Sequence, residues 1–230
     1  MKSLSTSQRV LTLLPIILVM ISTIYFYHLT ASTFPHTKHE LPKIQGVILK
    51  EAQRLTNIHL TDHQGKTVNS DYFLGKWHFI AYGYTHCPDI CPTTLLTLTH
   101  LADFLSKSND NLDTQFVFYS VDPDRDSQKI LAQYIHYFSE NFVALRANTS
   151  RDAENFQQRL GIKAEVAQGY VNNKQFYQVS HGLTILLINP DAQLQAVFSP
   201  EITKLSLKGF SSEILYRDYL KVIEYYYHHR

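Results

Sequence analysis

The chain has 230 residues, of which 44% are hydrophobic and 18% charged, and its formal net charge is +1. This length and composition fit one globular domain with a complete core, plus an appendage. The near-zero net charge offers no electrostatic footprint for nucleic acid, and two cysteines are too few for a disulfide framework. If the cysteines matter, they matter as a single reactive or metal-binding pair.

Near the N-terminus, an uncharged apolar run of 18 residues (10–27) follows Arg9. A helix of that length rises about 27 Å, close to the ~30 Å hydrocarbon core of a bilayer. Tyr25 and Tyr27 fall where an aromatic belt would lie, and the cations before the run predict a cytoplasmic N-terminus. We therefore predict a single-pass anchor in the cytoplasmic (inner) membrane over residues 1–30; the alternative is a cleaved signal peptide. Either way, the rest of the chain is expected on the periplasmic or extracytoplasmic side.

Residues 31–50 are polar, contain Pro35 and Pro42, and show no sustained periodicity, which is typical of a tether. The remaining residues, 51–230, are predicted to form one folded domain without internal repeats. The domain opens with a small hairpin, which is indicated by alternating polarity from Asn57 onward and by the turn signal Asp62-His63-Gln64-Gly65-Lys66.

Buried strands and amphipathic helices alternate through the rest of the domain. Short apolar runs predict strands, and apolar residues spaced three and four apart predict helices. The predicted order is a strand at 77–84, a helix from 92, a strand at 115–121, a helix capped by Asp126, a strand at 142–145, a helix at 148–161, a strand hairpin at 183–198 and a terminal helix at 211–227. This order predicts an α/β sandwich with a central sheet flanked by helices.

The two cysteines, Cys87 and Cys91, lie where the first long strand passes into the first helix. Pro92 suits the start of that helix, because its missing N–H would have no partner there. A helix N-terminus stabilises negative charge, so we expect both thiols to ionise more readily than a free cysteine. Such a pair can bind a soft ion, monovalent copper or zinc, or it can form a disulfide.

Two sulfurs do not complete a metal site, and His181 is the best candidate for a third ligand. It precedes the strand predicted to begin at Leu183, and strand ends converge at one edge of a sheet of this kind. A histidine in such a place is, taken alone, more often a structural residue. His86 adjoins Cys87, but neighbouring side chains diverge, so His86 is the weaker candidate.

Two segments of the sequence and one histidine resemble those of a known family. Residues 83–92 (GYTHCPDICP), residues 120–126 (SVDPDRD) and the later histidine are similar to the Sco/SenC family over about residues 58–198. The resemblance implies a thioredoxin-like fold with a central mixed sheet, and copper bound by Cys87, Cys91 and His181. One departure is that the family usually has Asp-His-Ser around this histidine, whereas this chain has Ser180-His181-Gly182.

The resemblance also implies a function. Members of this family are membrane-anchored copper proteins that help to assemble cytochrome c oxidase. By resemblance, this chain is expected to be a metallochaperone for the copper-binding subunit of the oxidase, with an upstream copper donor or a thiol reductant as a further partner. In a eukaryote the equivalent location would be the mitochondrial inner membrane.

Two other activities compete with copper delivery. In a thiol-disulfide oxidoreductase, Cys87 would attack a disulfide of the oxidase subunit and Cys91 would resolve the mixed disulfide. Against this as the sole role, three residues separate the cysteines instead of thioredoxin's two, and no proline occurs between Pro123 and Pro190 to stand opposite them. A peroxidase of the peroxiredoxin type would require Thr-x-x-Cys, but Thr85 lies only two residues before the first cysteine. We therefore expect a metal carrier more than an enzyme.

Overall fold

The computed structural model describes residues 6–31, 41–108, 110, 112–171, 174–202 and 208–229. The chain divides into two compact units, Met1–Glu40 and Leu41–Arg230. Described structure in the first unit consists of one helix, α1 (Thr6–Ala31). Part of the predicted anchor lies outside the described residues. Among the described residues, no helix is both long and apolar enough to span a bilayer. The structure therefore does not confirm the predicted anchor.

The second unit alternates strands and helices, as the sequence predicted. In its described part the strands are β1 (Gly46–Arg54), β2 (His59–Asp62), β3 (Thr67–Asn69), β4 (Trp77–Gly83), β5 (Thr114–Ser120), β6 (Val143–Ala147), β7 (Ala164–Val171), β8 (Lys174–His181), β9 (Ile185–Asn189), β10 (Gln193–Phe198), β11 (Glu201–Ile202) and β12 (Lys208–Gly209). The helices are α2 (Ile90–Lys107), α3 (Gln128–Phe138), α4 (Ser150–Leu160) and α5 (Ser212–His229), and a short 3-10 helix spans Ser70–Phe73.

Eight of these strands form one mixed sheet in the order β1-β10-β9-β4-β5-β6-β2-β3. β4 pairs in parallel with β5, and β5 pairs in parallel with β6, whereas β9 runs antiparallel to β4. Parallel neighbours need a crossover, and α2 and α3 supply the two crossovers. The predicted α/β sandwich with a central mixed sheet is confirmed.

Both faces of the sheet are covered, which explains why β4 is apolar along its whole length. Side chains alternate across a strand, so Trp77 and Phe79 point to one face and Ile80 and Tyr82 to the other. The first face packs on α2, α3 and α5; there the ring of Phe79 meets that of Tyr219 edge-on, with centroids 4.9 Å apart. The second face packs on α4. β4 therefore lies at the centre of the domain.

Two helix starts differ from the predictions. α2 begins at Ile90, before Pro92, and its N-cap residue Asp89 makes no side-chain capping bond. α3 is capped by Ser127, whose Oγ accepts from the N–H of Ile130 at 3.4 Å. The prediction that Asp126 caps this helix is wrong, because its carboxylate accepts hydrogen bonds from Thr85, in the loop between β4 and α2 that carries Cys87 (the cysteine loop).

Three strand regions were not predicted, and one of them is the short pair β11–β12. β1 begins at Gly46, inside the segment predicted as a tether, and it pairs with β10; residues 32–40 of that segment lie outside the described part. β7 and β8 form a separate two-stranded antiparallel sheet. His181, expected in a loop, is the last residue of β8 and pairs with Ala164.

Candidate metal centre

The two cysteines are held by the central strand and the helix that follows it. Cys91 lies in the first turn of α2 and is 4% exposed, while Cys87 lies in the preceding loop and is partly exposed. The N–H of Cys87 donates to the carbonyl of Tyr84 at 3.1 Å, which fixes the loop just after β4. A Cβ at Gly83 would overlap Cys91 Sγ, so the glycine makes room for the inner sulfur.

The histidine approaches from the end of β8. His181 Nε2 lies 3.6 Å from Cys91 Sγ, and its Nδ1 lies 2.8 Å from the carbonyl of Gly182. Since a carbonyl can only accept, Nδ1 carries the proton and donates. In the neutral imidazole this leaves the lone pair on Nε2, which is the nitrogen that faces the sulfur.

The structure brings together the three residues that the sequence singled out. One ligand atom each from Cys87, Cys91 and His181 lies within 4.8 Å of the other two, the sole such group of three among the described residues. An ion held trigonally by bonds of about 2.2 Å keeps its donors about 3.8 Å apart, so closure needs shifts of roughly 1 Å or less. Two sulfurs and one imidazole are a soft donor set and suit a monovalent or borderline ion.

His86 does not join this group. Its Nδ1 lies 3.1 Å from Thr85 Oγ1 and 3.9 Å from Asp126 Oδ1, and the side chain is exposed. The divergence expected for neighbouring side chains is therefore seen.

Burial dominates the electrostatics of the inner cysteine. It raises the pKa of the Cys91 thiol well above its ordinary value, and the hydrogen bond with Cys87 raises it further. The prediction that both thiols ionise more readily is wrong for Cys91, because loss of solvation outweighs the field of the helix N-terminus. A bound metal would have to displace this proton, so loading would release protons.

Two of the three ligands, Cys87 and His181, border an open depression of about 450 Å³. Two aromatic rings, those of Tyr82 and Tyr84, meet the imidazole of His181 edge-on at centroid distances of 5.8 and 5.9 Å. The lining is uncharged apart from the ligands and is formed by Tyr84, Cys87, Ile90, Val179, Ser180, His181, Gly182 and Leu183. A second molecule can thus approach the two outer ligands over a surface without charged side chains.

A buried carboxylate fixes the start of the cysteine loop. Asp126 is fully buried, and its Oδ2 accepts from Ser120 Oγ at 2.6 Å and from the N–H of Thr85 at 3.0 Å. Its Oδ1 accepts from Thr85 Oγ1 at 2.6 Å. Sequence reasoning missed this role; the available signal was the run of three aspartates in SVDPDRD at the end of the strand beside β4.

The same turn reaches the hairpin that carries the histidine. Tyr177, on β8, donates its hydroxyl proton to Asp122 Oδ1 at 2.8 Å. Asp122 Oδ2 accepts from Arg125 Nε, and the guanidinium lies over the ring of Tyr177, 3.9 Å from its centroid. These contacts were not predicted, because nothing in the sequence shows that Tyr177 is close to the turn.

Comparison with known proteins places these features in a family. The mitochondrial SCO2 homolog of Danio rerio is 35% identical over 135 residues, which are 59% of this chain and 47% of that protein. The chain therefore spans about half the length of the curated relatives it matches.

Solved structures share the fold. The copper-bound structure of ScoI from Bradyrhizobium japonicum has a TM-score of 0.57 at 26% identity, covering 70% of this chain and 94% of that one. Copper-bound ScoI from Arabidopsis thaliana gives a TM-score of 0.62 at 24% identity, covering 73% and 96%. The domain is thus thioredoxin-like, as the resemblance implied. The SCO1/SenC family model matches residues 50–208, which include the cysteine loop, the SVDPDRD turn and His181, and the chain belongs to that family.

Proposed function

We propose that this chain is a copper metallochaperone that binds copper through Cys87, Cys91 and His181 and supports assembly of the copper centre of cytochrome c oxidase. The observation that carries the proposal is the grouping of two sulfurs and one imidazole nitrogen within 4.8 Å. Structural zinc takes four ligands, and no fourth joins the group in the described part of the chain, whereas a soft three-donor set suits Cu(I). The copper-bound relatives and the mitochondrial SCO homologues support the same assignment.

The geometry supports transfer from the open side of the site. Loading displaces the two thiol protons, while the Nδ1 proton of His181 stays on its hydrogen bond to Gly182. Cys87 and His181 are partly exposed and border the depression, whereas Cys91 lies behind them. Ligands of an acceptor can therefore replace the outer donors one at a time, so that copper passes across without becoming free.

Copper binding is tested by a competition titration of the reduced full-length chain with a chromophoric Cu(I) chelator. We expect one copper per chain, and a loss of affinity of more than about 100-fold for Cys87→Ser, Cys91→Ser or His181→Ala, since removing a ligand should exceed the 10–100-fold effect of removing its supports. His136→Ala, an exposed histidine on α3, is the control. Wild-type affinity in the His181→Ala protein would refute the three-ligand site.

A second candidate is a thiol-disulfide reductase of the oxidase subunit, and the unequal exposure of the cysteines favours it. The Cys87 thiolate would attack the acceptor disulfide and release one acceptor thiolate. Cys91 would then attack Cys87 Sγ, releasing the second and leaving a disulfide in this chain. Two electrons pass to the acceptor, and an external dithiol would have to restore the reduced pair.

The two functions are separated by one mixing experiment. Copper-loaded, disulfide-free protein is combined with a copper-free acceptor subunit, and metal and thiols are followed separately. Movement of copper with an unchanged thiol count supports the metallochaperone. Loss of two thiols from this chain with a matching gain in the acceptor supports the reductase.

We further infer that the domain works on the extracytoplasmic side of a membrane. The uncharged run at residues 10–27 follows two cations, and the Danio rerio relative is described as mitochondrial. Protease added to intact cells or spheroplasts should digest residues 51–230, and protection until lysis would contradict this location. The proposed division into residues 1–30, 31–50 and 51–230 predicts that a chain lacking residues 1–30 still binds copper.

A further inference from the structure

The two parts of the metal centre belong to different sheets. Cys87 and Cys91 follow β4, the central strand of the main sheet, whereas His181 ends a hairpin in which β7 and β8 pair with each other. A neighbouring backbone bond, from the N–H of Gly182 to the carbonyl of Lys163, is long at 3.4 Å. That bond joins the two ends of the hairpin to each other, so beyond the chain connections the position of the imidazole depends on side-chain contacts between hairpin and main sheet, among them the rings of Tyr82 and Tyr84 against His181.

One set of those contacts converges on Arg125. Its guanidinium lies 3.9 Å from the centroid of the Tyr177 ring, on the hairpin four residues before His181. The same guanidinium lies 5.3 Å from the centroid of the Tyr84 ring, whose carbonyl accepts from the N–H of Cys87. One planar cation thus lies against an aromatic ring from each part of the site.

The guanidinium is itself held in place. Asp122, 1% exposed, accepts from Arg125 Nε through one carboxylate oxygen and from the Tyr177 hydroxyl through the other, at 2.8 Å. The arginine side chain is 28% exposed, so the stacked contacts are only partly screened by water. A lysine would preserve the charge but not the planar stacking or the fixed direction of the Nε–H.

We propose that Arg125 is a positioning residue that joins the histidine hairpin to the cysteine loop and thereby sets whether His181 ligates copper. The inference rests on the proposed three-ligand site. Without the guanidinium, the hairpin loses its stacked contact with the turn, and the imidazole spends less time near the sulfurs. Copper is then held mainly by the two thiolates.

A double-mutant cycle tests this coupling. Cu(I) affinity is measured for wild type, Arg125→Gln, His181→Ala and the double variant, all as reduced full-length protein, against the same chelator. The matched control is Arg146→Gln: Arg146 Nη2 donates to the carbonyl of Pro123 at 2.9 Å, so it supports the same turn, and no contact with Tyr84 or Tyr177 is described for it. X-ray absorption of the copper-loaded proteins reports whether an imidazole is bound.

We expect Arg125→Gln to weaken Cu(I) binding about 10- to 100-fold and to reduce the imidazole scattering, as losing a ligand's support typically does. In the His181→Ala background the same substitution should change affinity less than about threefold. Arg125→Lys should resemble Arg125→Gln, whereas Tyr177→Phe, which keeps the ring, should have a smaller effect. The melting temperature of the copper-free protein should fall, because Asp122 is buried and loses the cation that it faces, so affinities are compared at a temperature where every variant is folded.

Two results would overturn the inference: wild-type affinity and imidazole scattering in Arg125→Gln, or an equal loss of affinity with and without His181. Equal losses in Arg125→Gln and Arg146→Gln would also overturn it, because loosening the turn would then suffice. If His181→Ala alone bound copper with wild-type affinity, the proposed three-ligand site would be refuted, whatever the cycle showed. That variant is therefore measured before the cycle is interpreted.

Discussion

The cysteine part and the histidine part of the metal centre differ in how they are built into the fold. All seven residues of β4 are buried, with strands paired on both sides and helices over both faces. The histidine part is a two-stranded sheet that contacts the rest of the domain through Val179, which packs in the core, through Tyr177, and through the imidazole of His181 against the rings of Tyr82 and Tyr84. Shifting the sulfurs therefore disturbs the core, whereas shifting the imidazole disturbs a few side-chain contacts.

This difference would suit the proposed metallochaperone, whose site has to release its ion. A centre with three equally rigid ligands would bind copper well but resist entry of another protein's donors. Here one ligand lies on the element with fewer attachments, so the site can open at the imidazole while both sulfurs stay in place. The comparison is testable at several levels.

The largest expected contrast is in hydrogen exchange. Amides of β4 should exchange only through global unfolding, at about 5–15 kcal/mol, because no local opening exposes a strand paired on both sides. Amides of β8 near His181 should exchange through local opening, several kcal/mol lower. The measurement is native-state exchange of the copper-free chain by NMR or mass spectrometry. Equal protection of the two strands would break the comparison.

A second contrast is the acid sensitivity of β4. His78 is fully buried beside the rings of Tyr72 and Phe73; burial, with a smaller contribution from the charge of Lys76, lowers its pKa from 6.5 to about 4. The unfolded chain therefore binds this proton more readily than the folded one. The free energy of unfolding should fall by about 3 kcal/mol as the pH drops from 6.5 to 4.

Urea unfolding across this pH range measures the effect. In the His78→Leu protein the fall attributable to this residue should vanish, whereas His136→Ala, exposed on α3, should retain it. An unchanged slope in His78→Leu would mean that other groups cause the acid sensitivity.

The third prediction concerns the space beside Gly83 that Cys91 Sγ occupies. Gly83→Ala places a methyl group where Cys91 Sγ now lies, so the sulfur must rotate away from the other ligands. We expect a 10- to 100-fold loss of Cu(I) affinity, equivalent to about 1.4–2.7 kcal/mol. Gly209→Ala, where the added carbon meets no atom within 4 Å, is the control. Normal affinity in Gly83→Ala would show that the cysteine part is less rigid than described.

The smallest effect is expected from the carboxylate under the cysteine loop. Asp126→Asn puts an amide donor against Thr85 or Ser120, which are donors themselves, and should lower the free energy of unfolding by about 1–2 kcal/mol. Alkylation of Cys87 should become faster as the loop loosens. Asp124→Asn, exposed in the same turn, should change neither quantity. Equal alkylation rates in both variants would exclude a role of Asp126 in holding the loop.

Much of the main sheet could be predicted because its signals are local. The apolar run of β4 and the glycine after α4 indicated a buried strand and a helix end; Gly161, with a φ of 66°, occupies the left-handed conformation that closes the helix. The place of the cysteines at the strand–helix junction indicated a pair that could bind a soft metal or form a disulfide, and the family resemblance favoured metal. His181 was a candidate from its place before a strand and was favoured by the family resemblance, and the structure brings it within reach of the sulfurs.

The missed features depend on contacts distant in sequence. Asp126 looked like a helix cap because an aspartate before an amphipathic stretch usually is one, and only the folded chain shows Thr85 beside it. The hairpin β7–β8 alternates weakly, with polar residues on both faces, so its pattern resembled a loop. The raised pKa of the Cys91 thiol follows from burial, which the motif does not encode.

The two sulfurs should also be chemically modified at different rates. Cys91 is 4% exposed, whereas Cys87 reaches the surface. An oxidant or alkylating drug in the surrounding solution will modify the outer sulfur first, and it will reach the inner sulfur only through local opening of the structure. The ratio of damage at these positions would then serve as a built-in gauge of how often the molecule opens in a living cell.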